Sequence, residues 1–152
     1  MDAALDLLIE REIDSAPAKL FACWTQPKLM EQWFCPVPWR MTDIDLDLRP
    51  GGHFRGVIRG PNGEEMPNAG CYLEVVPDRR LVWTDALTGG YRPSGGGFMT
   101  GIITFDPIPG GTRYRGLVLH ADAEARAKHE AMGFHDGWGK AADQLAALAR
   151  TL

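Results

Sequence analysis

Apolar positions recur with a period of two over most of the chain and with a period near 3.6 over its last quarter. In residues 5–13, Leu7, Ile9, Arg11 and Ile13 alternate with Asp6, Leu8, Glu10 and Glu12, which predicts a strand with a mainly acidic outer face. Residues 41–48 place Ile44, Leu46 and Leu48 on one side and Asp43, Asp45 and Asp47 on the other. Residues 53–59 set Arg55 and Arg59 opposite Phe54, Gly56 and Ile58, so a hairpin between these two strands lets the arginines meet the aspartates. His53 falls on the solvent side with Arg55. Further strands are predicted at 69–76, 80–86, 99–106 and 112–120, the last with Tyr114, Gly116, Val118 and His120 facing inward. The intervening GPNGEEMPN and LTGGYRPSGGG read as loops rich in turn formers.

Helical spacing interrupts the strands twice. After the first strand, Pro17 suits a helix's first turn and Leu20, Phe21 and Trp24 share one side. A second helix begins at Pro27, carries Leu29, Met30, Trp33 and Phe34 inward, and ends at the two prolines of CPVPW. At the C-terminus, positions 131, 135, 138, 142, 145, 149 and 152 are spaced alternately by four and three and form one face of Ala, His, Trp, Ala, Leu, Ala and Leu. Gly133, Gly137 and Gly139 each weaken a continuous helix by about 1 kcal/mol relative to alanine. The expectation is a short helix over 122–132 with Asp122 as N-cap, Gly133 as its stop, and a long helix from Phe134. About seven sequential strands with helices after the first and last give an α+β domain, residues 1–152, in which an antiparallel sheet wraps the closing helix.

Composition narrows the class. An apolar fraction of 45% with 24% charged residues is that of a soluble globular domain. A net charge of −4 argues against a nucleic-acid partner or an anionic membrane surface. No apolar run is long enough to insert into a membrane, and MDAALDLLIERE lacks a basic leader. With three cysteines, Cys23, Cys35 and Cys71, and no C-x-x-C pair, the expectation is a cytoplasmic protein with reduced thiols.

Candidate chemistry gathers where a helix cannot seal a curved sheet. Trp24, Trp33, Phe34, Phe54, Trp83 and Trp138 either fill that gap or line a pocket in it for an apolar or aromatic ligand. Tyr72 is a further candidate. Met132 and Phe134 crowd one end of the same gap with Trp138, and His120, at the end of the last strand, and His129, at the start of the helical segment, are further candidates. A pocket histidine with Asp85 or Glu74 nearby would give an acid/base pair; a structural histidine is the competing reading. His129 and His135 are spaced poorly for a shared metal, no H-E-x-x-H motif occurs, and neither a metal nor a cofactor is expected. Cys35 has no local base and reads as an inert thiol.

APAKLFACWTQPKLMEQWF, DLDLRPGGHFRGVIRGPNGEE, GCYLEVVPDRRLVWTD, ITFDPIPGGTRYR and KHEAMGFHDGWGKAADQL, in that order and over nearly the whole chain, resemble the activator of Hsp90 ATPase homologue 1-like group of the START/Bet v 1-like superfamily. The resemblance implies the helix-grip fold (β-α-α-β-β-β-β-β-β-α) with an apolar cavity between sheet and last helix. It implies binding of a small hydrophobic or aromatic molecule. Two alternatives stay open: a cyclase- or aromatase-like enzyme using a pocket histidine, and a chaperone-interacting domain. An exposed edge strand would also permit a homodimer.

Overall fold

The alternating segments pair into one antiparallel sheet. A computed structural model describes residues Met1–Leu152. Its strands are β1 (Asp6–Ile13), β2 (Arg40–Leu46), β3 (His53–Arg59), β4 (Glu65–Val76), β5 (Arg80–Thr84), β6 (Leu87–Thr88), β7 (Arg92–Pro93), β8 (Thr100–Ile108) and β9 (Gly111–Leu119). Seven of them form a sheet in the order β1-β9-β8-β5-β4-β3-β2, and β6 and β7 form a separate two-stranded hairpin. The first link explains the layout. Helices α1 (Pro17–Thr25) and α2 (Pro27–Met30) carry the chain from β1 at one edge to β2 at the other. Antiparallel connections, the one from β5 to β8 carrying β6 and β7, then lead back until β9 pairs with β1, Ile9 opposite Gly116. Two more helices, α3 (Ala123–Ala131) and α4 (Phe134–Ala149), close the chain.

The break between α3 and α4 falls where the glycine count predicts it. Asp122 caps α3 by accepting from the Ala125 N–H at 2.8 Å. Gly133 then adopts φ +93°, a left-handed conformation that costs glycine little, and the chain starts a new helix. The break also corrects the predicted stripe. Ala131 and His135 are exposed, because the face of α3 does not carry across a change of axis, and Leu152 lies past the helix end. The buried face of α4 is Phe134, Gly139, Ala141, Ala142, Leu145 and Ala149, with Trp138 half-buried.

Other elements differ from the alternation. In β2 the register to β3 slips between Thr42 and Asp45, with Asp43 at φ +53°. Aspartate tolerates that conformation better than most side chains. The slip is a β-bulge, and it puts Met41 inward as well as Ile44 and Leu46, which strict alternation forbids. Leu48 lies beyond the strand and is exposed. β4 starts at Glu65, four residues before the expected Ala69, so much of the supposed loop is strand. α2 is a single turn; its continuation to Phe34 is a set of turns. The glycine-rich segment holds the β6–β7 hairpin. On the outer face Arg55 pairs with Asp45 at 2.6 Å and Arg59 with Asp43 at 3.1 Å, as the hairpin geometry requires, while Asp47 pairs with Arg49. His53 lies 3.1 Å from Asp45 on that same face.

Candidate functional site: an aromatic cavity under the closing helix

Between the sheet, the α1–α2 elbow and the first half of α4 lies a cavity of about 360 Å³. That is within the size range of small-molecule sites. Trp24, at the end of α1, meets Trp33 and Phe34 edge-on, with ring centroids 5.0 and 5.6 Å away. Trp33 is fixed by its indole N–H, which donates to the Cys23 carbonyl at 2.9 Å. The elbow is tied to α4 by Gln144, whose amide nitrogen donates to the carbonyls of Trp33 (2.9 Å) and Cys35 (2.8 Å) while its oxygen accepts from Val37 N–H at 3.0 Å.

The opposite wall depends on two glycines. Trp83 of β5 pairs across to Gly101 of β8, and a Cβ there would sit 2.6 Å from the Trp83 ring. A Cβ at Gly116 would come within 3.1 Å of Trp138. The absent side chains let both indoles lie close to the backbone of the sheet, and their planes are 12° from parallel with centroids 6.5 Å apart. From α4 come Gly137, Ala141 and Ala142 beside Trp138, side chains too small to fill the space.

The predicted residues divide cleanly. Trp24, Trp33, Phe34, Trp83 and Trp138 line the cavity. Phe54 does not: it is packed behind the wall, 5.7 Å from Trp83 and 5.5 Å from Tyr72. Phe134 turns away into a second cluster with Leu7, Ile9 and Val118. Met132 is 68% exposed, because it caps α3 where the chain turns outward. His120 and His129 lie outside the cavity, with the Phe98 ring against both of them, 5.8 and 4.8 Å away.

The two histidines form a chain with a defined direction. His120 Nδ1 is 2.8 Å from the Leu5 carbonyl, an acceptor only, so that nitrogen carries the proton. His120 Nε2 is then an acceptor for the Nδ1–H of His129, 2.9 Å away. Burial, and secondarily the neighbouring His120, pushes the His129 pKa down to about 4, against a smaller opposing pull from Asp85. Both nitrogens of His120 are therefore engaged, and His129 is a weak base. Glu74 pairs with Arg80 at 3.1 Å and is no partner for them.

Apart from the indoles and Cys35, the polar side chains lining the cavity are Asn68, Asp85 and Tyr114. Burial holds the Tyr114 hydroxyl far above its usual pKa, opposed slightly by the adjacent Trp24 N–H. The Trp24 nitrogen itself lacks a well-formed hydrogen bond. Cys35 lines the cavity, but burial pushes its thiol up to about 11, which leaves little thiolate for nucleophilic chemistry. No three His, Cys, Asp or Glu side chains converge as a metal-ligand set. Phe98, Asn68 and Gln144 escape the sequence reading: Phe98 lies in a loop, Asn68 in the part of β4 that reads as loop in the sequence, and Gln144 acts through backbone carbonyls.

An open antiparallel sheet that holds a long C-terminal helix over an aromatic gap defines an α+β helix-grip protein. The chain belongs to the activator of Hsp90 ATPase homolog 1-like family, whose model matches residues 14–150. It is similar to a crystal structure of a protein from Nitrosomonas europaea at 42% identity, covering 99% of this chain and 97% of that one, with a TM-score of 0.97. A protein from Mycobacterium smegmatis is 27% identical over 97% of this chain and 92% of its own, TM-score 0.82. One from Rhodobacter sphaeroides is 25% identical over 100% of this chain and 97% of its own, TM-score 0.86. Among curated proteins no match is found. No helix is long and apolar enough to cross a membrane.

Proposed function

We propose that this protein binds a small apolar or aromatic molecule in the cavity beneath α4. The observation that carries this reading is the void itself. Protein interiors pack to crystal density, and unfilled apolar space costs stability in proportion to its volume. Here about 360 Å³ stays open among large aromatic side chains, and beside Trp138 α4 offers it only glycine and alanine. The geometry of the histidines favours binding over catalysis, since they are engaged with each other and separated from the cavity by Phe98.

Thermal unfolding in the presence of naphthalene, indole and longer aliphatic probes tests the reading. A ligand at a hundred times its Kd adds about 2.7 kcal/mol, which for a chain of this size raises Tm by roughly 5–10 °C. Quenching of tryptophan fluorescence should accompany the shift, because Trp24, Trp33, Trp83 and Trp138 line the site. An unchanged Tm and unchanged emission across the panel would remove the proposal.

A further inference from the structure

One lining residue does not suit a purely apolar guest. Asp85 follows β5 and faces the cavity half-buried. Its Oδ1 accepts the backbone N–H groups of Phe98 at 2.7 Å and Met99 at 3.0 Å, which fixes the carboxylate at the head of β8. Its second oxygen has no hydrogen-bond donor from the protein. No arginine, lysine or histidine comes within ion-pair distance, although the outer-face carboxylates Asp43, Asp45 and Glu65 are all paired. None of the cavity's lining residues is cationic. His129 is near enough to feel the charge, but burial keeps it neutral at pH 7, so it supplies no counterion.

A carboxylate held among aromatic walls without a countercharge is a site waiting for a cation. Partial burial weakens its hydration, and an ion pair formed there is screened less than one on the surface. The walls act in the same sense. Indole faces attract cations by their quadrupole, and Trp83 and Trp138, nearly parallel to each other, both line the cavity. The same field repels an anion.

We propose that the cavity selects organic cations: an aromatic or apolar body against the tryptophans, with a protonated amine on the free oxygen of Asp85. This rests on the cavity-binding reading above and gives it a charge preference.

The test compares three probes with one ring system at pH 7.5: 1-naphthylmethylamine, 1-naphthalenemethanol and 1-naphthoic acid, by titration calorimetry. A charge-assisted hydrogen bond in place of a neutral one should favour the amine over the alcohol roughly tenfold, and the acid should bind weakest. Asp85→Asn keeps an acceptor for the two N–H groups and should narrow the amine–alcohol gap to about threefold or less. The wild-type ranking stands without the variant, should the substitution impair folding. Alcohol or acid binding as tightly as the amine overturns the charge preference and leaves the cavity reading intact. An amine preference that survives Asp85→Asn overturns the role of Asp85. If none of the three binds at millimolar concentration, both the cavity reading and this inference fail.

Discussion

The gap between α4 and the sheet is sealed at one end and open at the other, although the same helix spans both. Toward the C-terminus, Leu145 and Ala149 are completely buried in the core cluster that also holds Ile13 and Leu20. Toward the N-terminus, Gly137, Ala141 and Ala142, beside Trp138 of the same helix, face Trp24 and Trp83 across space. The difference lies in side-chain placement, since backbone geometry is regular throughout α4. A leucine fills the gap where one is present; where the helix offers glycine and alanine around Trp138, the aromatic residues of the elbow and sheet cannot cross it. Void and core are thus adjacent states of one interface, and single substitutions should convert one into the other.

The largest effect should come from opening the sealed end. Leu145→Ala removes a side chain with no exposed surface and should cost about 2–5 kcal/mol in urea unfolding. A loss below about 1 kcal/mol would show that this end is already loosely packed. Next comes filling. Ala149→Leu should overpack the sealed end and cost about 1–3 kcal/mol. Ala141→Leu points into free space, so it should leave stability within about 1 kcal/mol of wild type while weakening naphthalene binding at least tenfold. Equal penalties for the two leucines would mean that the open end has no usable volume.

The smallest effect concerns pH and the histidines behind Phe98. The folded pKa of His129, near 4, lies below its ordinary value of 6.5, so the unfolded chain takes up a proton first as pH falls. This contribution is fully present above pH 6.5 and is lost progressively between 6.5 and 4. Three carboxylates are also held low: Asp43 first by Arg59, Asp45 first by His53 and Glu130 first by His135. They act at lower pH, as each approaches its ordinary value of 3.8 or 4.5. His129→Asn keeps a donor for His120 without the titration, so its Tm should change less between pH 7 and pH 5 than the wild type's. Identical slopes would contradict the assignment.

The legible parts of the molecule are those governed by local chemistry. Strand β3 follows strict alternation and appears with its predicted bounds. The halt at Gly133 follows from what glycine alone does cheaply at a helix end. Five of the seven predicted lining aromatics from the elbow, sheet and α4 do reach the cavity, but Phe54 and Phe134 do not. Periodicity tells inward from outward; it does not tell whether an inward ring faces space or another ring. The His120–His129 pair joins a strand end to a separate helix with no motif at that spacing. Asp85 and Phe98 meet across the glycine-rich segment, and only the closed loop brings them together. The early start of β4 was hidden by Pro67, tolerated because residues 65–70 have a paired strand, β3, on one side only.

The bulge in β2 matters beyond the side chains it redirects. β2 is an outer edge of the sheet, where free N–H and C=O groups could template a strand from another molecule. A uniform ladder would offer such a template along its whole length. The slip at Thr42–Asp45 cuts it into two short stretches out of phase with each other, and Asp43 and Asp45 stand at the break. A neighbouring strand that matches one stretch mismatches the next. The irregularity that brings Met41 into the core also makes this edge a poor seed for aggregation.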